Sequence, residues 1–126
     1  MFHNTWMAFT ERQIIIMKLS LVELRIMNIM YSNLPEISCG DSLKCFNEKY
    51  SYDWKLSTYS TYLKRLSQKG YLQNRSWGNI RYYSPVLDRH SFCLEQLSIL
   101  SEPIFSNDYK ELSKCVQELY ESGTLM

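Results

Sequence analysis

The sequence has few of the residues from which phosphate-binding loops are built. Its 126 residues include four glycines and three prolines, and it contains no glycine-rich loop, nucleophile elbow or His-Glu metal motif. Its Asp and Glu residues form no identifiable acid–base pair. We therefore expect a protein that is not an enzyme and that needs no cofactor.

Long apolar runs are also missing. The longest, Ile14–Met17, is far too short to cross a bilayer. Residues Met1–Thr10 lack the charged head and apolar core of a secretion signal. Without such a signal, the four cysteines are expected to be reduced thiols. These features predict a cytoplasmic protein with no membrane partner.

The net charge is only +1, but the charges are unevenly distributed. Residues 1–90 carry twelve Lys and Arg against seven Asp and Glu, whereas residues 91–126 carry two against six. Within Ser42–Tyr82 the count is eight against two. This central segment is suited to contact with anions, although chance clustering on solvated faces is the alternative.

Two helices are predicted in this region, one before the basic segment and one at its start. The first is Leu21–Tyr31, because Ser20 and Glu23 fit a capping box. A minimal strand at Ile37–Cys39 leads to a second helix at about Ser42–Lys49. The inward stripe predicted for the first helix consists of Leu21, Leu24, Met27, Met30 and Tyr31.

A third helix, Leu56–Lys69, has two contrasting faces. Four apolar residues repeat at helical spacing on one side, and Gly70 suits a left-handed end to the helix. The other side starts with hydroxyls, which permit a close approach to DNA, and continues with cations that can reach phosphates or guanine edges. The residues predicted to bind DNA on this face are Ser57, Thr58, Ser60, Thr61, Lys64 and Arg65.

Two short strands are predicted next, Tyr71–Arg75 and Ile80–Ser84. They are joined by Ser76-Trp77-Gly78-Asn79, in which Gly-Asn is hairpin turn chemistry. Three helices followed by a hairpin is the order of a winged helix-turn-helix, in which the third helix enters the major groove. Arg75 and Arg81 are predicted to lie against the DNA backbone. The fold class is therefore mostly α with a small β-hairpin wing.

The remainder is predicted to be helical and to associate. The helices are Ser91–Leu100, ending before Pro103, and Asp108–Glu121, capped by Asn107. Their apolar residues recur at helical spacing beside an acidic outer face, which suits a second subunit. The residues predicted to form the dimer are Phe92, Leu97, Leu100, Tyr109, Leu112, Val116 and Leu119.

The stretch from Leu19 to Pro85 resembles the penicillinase repressor family of winged-helix regulators (BlaI/MecI type). The pattern W-x-x-S-T-x-x-T-x-L-x-R-L-x-x-K-G-Y-L, beginning at Trp54, resembles the recognition helix and first wing strand of that family. The pattern G-N-I-R-Y-Y-S-P resembles the second wing strand, and L-S-L-V-E-L-R-I-M-N-I-M-Y the opening helix. The acidic tail resembles the dimerisation segment.

This resemblance implies a homodimeric repressor that binds a palindromic operator of double-stranded DNA. The regulated genes would form a resistance or stress operon, for example one for antibiotic resistance. In the antibiotic-responsive members, a regulatory protease relieves repression by cleavage at an Asn-Phe bond. This chain departs from that pattern, because it has Asn107-Asp108 near the same position. Five residues match the DNA-binding pattern of the family: Thr58, Thr61, Arg65, Tyr83 and Ser84. Ser57, Ser60 and Asn79 depart from it, because basic residues are usual there.

Three segments are predicted: an N-terminal extension (residues 1–18), a winged-helix domain (19–88) and a helical dimerisation segment (89–126). An alternative for the first is that translation starts at Met17. Two alternatives to the function also stand. The serines at 57 and 60 fit a winged helix that binds protein. Cys39 with Cys45, and His90 with Cys93, are the candidates for a copper-type metal-responsive repressor.

Overall fold

The computed structural model describes residues 18–123, which fall into two compact units. The first unit ends at Arg89 and the second begins at His90. Apart from Lys18, the predicted N-terminal extension lies outside the described residues, as does the alternative start at Met17.

The first unit combines three helices with a three-stranded antiparallel sheet of order β1-β3-β2. Within the sheet, Tyr83 lies opposite both Ile37 and Asn74. The elements in chain order are α1 (Leu21–Tyr31), β1 (Ile37–Ser38), α2 (Cys39–Tyr50), α3 (Leu56–Gln68), β2 (Leu72–Trp77) and β3 (Ile80–Pro85). This order and the β2–β3 hairpin confirm the predicted winged-helix fold class.

Helix α1 begins with the predicted capping box. The Glu23 backbone N–H donates to Ser20 Oγ at 3.2 Å, and the Ser20 N–H donates to Glu23 Oε1 at 2.9 Å. The predicted inward stripe is wrong at its start, because Leu21 and Leu24 are exposed while Glu23 is buried. Glu23 can be buried because Lys69, at the end of α3, donates to both of its carboxylate oxygens.

Helix α2 starts at Cys39, before the predicted Ser42, because Ser38 Oγ accepts from the Asp41 N–H. Its fully buried Phe46 is surrounded by aromatic rings, with centroid distances of 5.0 Å to Tyr52 and 5.3 Å to Tyr59. These rings fill the space between α2 and α3. They hold α3 against the core through the face opposite to its polar residues.

The second unit contains α4 (Arg89–Phe105), apart from its first residue, and α5 (Tyr109–Ser122). The prediction that the first of these helices ends before Pro103 is wrong. Pro103 lies in the last turn, where its missing N–H leaves only the Ile99 carbonyl without a helical donor. Asn107 has a positive φ of 64° and does not cap α5. Helix α5 is capped by Asp108 instead, because its carboxylate accepts from the backbone N–H groups of Lys110 and Glu111.

Candidate nucleic-acid interface

An open groove of about 740 Å³ runs between α3 and the β2–β3 hairpin. We call it the reading groove. Polar side chains line it from both sides. The residues predicted to bind DNA that it brings together are Ser57, Ser60 and Lys64 from α3, and Arg81 and Tyr83 from β3. A cationic, open groove beside an exposed helix can accept a phosphate backbone.

The N-terminus of α3 has no side chain that satisfies its first N–H groups. Lys55 is the N-cap residue and makes no side-chain cap hydrogen bond, and the first turn carries no acidic residue. The first N–H groups of a helix lack intrahelical partners and carry the positive end of the helix dipole. This end of α3 is therefore suited to a phosphate oxygen.

Hydroxyl groups follow directly along the same face. Ser60 Oγ and Thr61 Oγ1 both donate to the Ser57 carbonyl, at 3.1 Å and 3.0 Å. Ser57, Thr58 and Thr61 are exposed, and Ser60 is half-buried. Short side chains held close to the helix permit a close approach of the backbone of α3 to DNA.

Two cations follow the hydroxyls, and both are exposed. Lys64 lines the reading groove. The Arg65 guanidinium lies 5.1 Å from the centroid of the Tyr62 ring, which in turn stacks on Trp54 at 5.1 Å. Asn47 fixes the backbone of Trp54, because its side-chain amide donates to the Trp54 carbonyl and accepts from the Trp54 N–H. The stack thus restricts the directions in which Arg65 can extend.

The hairpin presents different residues on its two faces, because side chains alternate along a strand. Asn74, Arg81 and Tyr83 line the reading groove. Arg75 and Ser84 do not line it. Arg75 pairs with Tyr82 and Ser84 pairs with Gln73, and each of these pairs is one position along the strands from a pair that faces the groove. The structure therefore places these two predicted DNA-binding residues on the opposite face, which we call the outer face.

Arg75 is also engaged within the protein. Its Nε donates to Glu36 Oε1 at 2.9 Å, and its Nη2 donates to Glu36 Oε2. Its guanidinium lies 4.8 Å from the centroid of the Tyr82 ring. The hydrogen bonds from Arg75 hold the pKa of the Glu36 carboxyl below its usual value. A cation paired in this way offers little net charge to a phosphate.

Tyr83 differs from the other groove residues because only 3% of it is exposed. Burial raises the pKa of its hydroxyl. It therefore forms the floor of the reading groove rather than a projecting contact. Arg81 is exposed, and its Nη1 donates to Asn74 Oδ1 at 2.5 Å.

Sequence reasoning did not select Gln68 and Asn74, which also line the reading groove. For Asn74 a signal was present in the sequence. A two-residue turn at Gly78-Asn79 pairs Trp77 with Ile80. Counting back from that pair places Asn74 on the same face of the hairpin as Arg81. For Gln68 the spacing of four residues from Lys64 gives the same face of α3.

The predicted dimerisation residues lie in the second unit. Phe92 is buried at 7% exposure, so it packs within its own subunit. The exposed fractions of Leu97, Leu100, Val116 and Leu119 lie between 40% and 49%. Tyr109 is 38% exposed and Leu112 is half-buried. No residue of α5 is buried.

Other site types find little support in residues 18–123. No three His, Cys, Asp or Glu side chains in that range come together to hold a metal ion. The four cysteines, all within it, are free thiols. None of the helices described there has both the length and the apolar character needed to cross a membrane.

Comparisons with known proteins agree with the geometry. A search of curated proteins finds no match. The profile of the family described as "Penicillinase repressor" matches residues 19–123. Among solved structures, the chain is similar to one described as "Solution structure of the DNA binding domain of the repressor BlaI". The identity is 27% and the TM-score 0.51, over 59% of this chain and 87% of that chain.

Family and fold both fit a DNA-binding repressor, a regulator rather than an enzyme. The chain belongs to the penicillinase repressor family.

Proposed function

We propose that the protein is a sequence-specific transcriptional repressor that binds a palindromic DNA operator as a homodimer in the cytoplasm. The observation that carries this proposal is the uncapped N-terminus of α3 beside the cationic reading groove. Membership of the penicillinase repressor family supports it. The same membership favours a resistance or stress operon as the regulated target.

Each part of the site has a role in this proposal. The N-terminus of α3 and the hydroxyls of Ser57 and Thr58 fix the helix on the phosphates at the edge of the major groove. Lys64 and Arg65, one to two turns further along, reach phosphates or guanine edges. Arg81 holds the backbone from the hairpin side. Phosphate contacts give affinity and register, while base contacts from α3 give sequence preference.

The second unit supports the homodimer. Helix α5 is amphipathic yet buries none of its residues within the subunit. Val116 and Leu119 lie on its apolar side with 49% and 40% of their surfaces exposed. An apolar helix face is stabilised when another copy covers it, and a two-fold dimer places two recognition helices on two half-sites.

The connection between α4 and α5 is the proposed point of control by a regulatory protease. Ser106 and Asp108 are exposed there, and Ser106 and Asn107 have positive φ angles that end α4. A protease needs an accessible, non-helical segment. Cleavage at this connection would separate α5 from the rest of the chain and remove its contribution to the dimer.

The test is selection of bound duplexes from a random 30-base-pair library, followed by affinity measurements at two or more salt concentrations. We expect a recovered palindrome and an affinity that falls steeply with salt. Lys64→Ala should lower the slope of log affinity against log salt by about two, one for each subunit of the dimer. Lys114→Ala, in the exposed part of α5, is the matched control and should leave the slope unchanged. Failure of the wild-type protein to bind any duplex at low salt would overturn the proposal.

A further inference from the structure

The tip of the hairpin exposes two large apolar side chains as a pair. Trp77 and Ile80 lie opposite each other across the strands, on either side of the Gly78-Asn79 turn. Trp77 is 70% exposed and Ile80 is 49% exposed. A tryptophan is among the residues that contribute most to binding when a partner covers it. This pair is unexplained by the packing of the first unit.

The tip is held in place by the base of the hairpin. Six cross-strand pairs join β2 to β3 without interruption, from Leu72–Pro85 to Trp77–Ile80. Strand β1 extends the sheet beside β3, and the Glu36–Arg75 pair connects the segment before β1 to the middle of β2. The Tyr82 ring packs under the Arg75 guanidinium. The indole is therefore presented on a braced strand pair rather than on a free loop.

The alternation of the strands decides which surface the pair faces. Trp77 and Ile80 share the phase of Arg75 and Tyr82, and so belong to the outer face, opposite the reading groove. With α3 in the major groove, the phosphate backbone at its edge occupies the reading groove. The groove of B-DNA beyond that backbone is the minor groove. The outer face of the hairpin tip is then turned toward the minor groove.

The chemistry of the tip also suits DNA. Residues 72–85 contain no acidic side chain, and Arg81 follows Ile80 directly. The minor groove is about 6 Å wide and is read by residues that combine cations with apolar wedges. Its walls are deoxyribose C–H groups, against which the apolar faces of an indole can pack, and its floor offers base acceptors to the indole N–H. A flat ring fits edge-on into that width.

We propose that Trp77 and Ile80 form an apolar clamp in the minor groove next to the major-groove segment that α3 reads. This inference rests on the proposed function and assigns a second contact to it. The clamp adds affinity without neutralising phosphates. It also favours A·T pairs at the flank, because a G·C pair places the guanine amino group in the minor groove.

Salt dependence separates this contact from the cationic ones. On a duplex recovered from the random library and given A·T flanks, Trp77→Ala should lower affinity about tenfold. The slope of log affinity against log salt should not change, because no counterion is released by an apolar contact. Trp77→Leu should restore part of the affinity. Val86→Ala, a 51% exposed apolar residue at the other end of the hairpin, is the matched control and should have no effect.

A second arm locates the contact. Replacing the flanking adenines by 2,6-diaminopurine adds an amino group to the minor groove and leaves the major-groove edge unchanged. Wild-type affinity should fall on that duplex, whereas the affinity of Trp77→Ala should not. Unchanged affinity of Trp77→Ala on the normal duplex, a changed salt slope, or equal sensitivity of both proteins to diaminopurine would overturn the clamp. In those results the wild-type protein still binds, so the proposed function stands; absence of wild-type binding would overturn both.

Discussion

The buried Glu23 carboxylate connects the first helix to the end of the recognition helix, and its replacement by Gln tests that connection. Glu23 is 4% exposed and accepts from Lys69 Nζ at 2.9 Å and 3.0 Å. Gln keeps the size of the side chain and can still accept from the Ser20 N–H, so the capping box survives. What is lost is the carboxylate charge and the hydrogen bond that Oε2 accepts from Lys69, because an amide –NH2 cannot accept.

The expected loss in the free energy of unfolding is about 2 kcal/mol. Hydrogen bonds to charged groups contribute roughly 1.5–3 kcal/mol, and breaking a fully buried ion pair costs roughly 3–5 kcal/mol. The Lys69 side chain retains 28% exposure, so water replaces part of the interaction and the lower range applies. The measurement is urea unfolding of the full chain, with Glu48→Gln on the exposed side of α2 as the control.

The pH dependence gives a second readout with a fixed sign. Burial raises the pKa of Glu23, but hydrogen bonds from the Ser20 N–H and Lys69 outweigh it and leave the pKa below its ordinary value of 4.5. The stability from this group is thus fully present above the unfolded pKa and is lost as pH falls through the folded pKa. Wild type and Glu23→Gln should therefore differ most near neutral pH and converge in acid. A difference under about 0.5 kcal/mol at neutral pH, or one that grows in acid, would refute the reasoning.

Two further predictions concern the hairpin and the tail. The double variant Arg75→Ala, Glu36→Gln should leave the salt slope of DNA binding unchanged, because it removes a pair with no net charge from the outer face, whereas Arg81→Ala should lower the slope by about two, one for each subunit of the dimer. Equal slopes for the two variants would contradict this placement. Val116→Asp should convert a dimer into a monomer in sedimentation velocity, because it puts a charge on the exposed apolar side of α5. Gln117→Asp on the polar side is the control, and a Val116→Asp protein that remains dimeric would contradict the proposed interface.

The start of α1 and the end of α3 were predictable because neighbouring residues encode them. Ser20 and Glu23 start α1 through a capping box, and Gly70, with φ of 86°, follows the end of α3. The prediction of the hairpin was wrong at its turn, because Ser76 and Trp77 belong to β2 and not to the connection. The two-residue turn after Trp77 fixes every pair back to Leu72.

What sequence reasoning missed depends on residues far apart in the chain. Glu23 is buried and Leu24 is exposed on α1 because Glu23 pairs with Lys69. That partner is 46 residues away, so the local pattern of α1 does not show it. Arg75 was assigned to DNA because Glu36, 39 residues earlier, gives no local sign of pairing with it. Charge counts along the sequence treat such paired cations as available.

The recognition helix is fixed at both of its ends, by the Trp54 stack that Asn47 holds before α3 and by the Lys69–Glu23 pair after it. Its conformational entropy is therefore lost when the protein folds, and no further ordering of α3 is required on the operator. Because the helix cannot adapt its backbone to another DNA sequence, such preorganisation should weaken binding to any operator whose surface does not match α3. Discrimination between operators then rests on the side chains of one rigid helix.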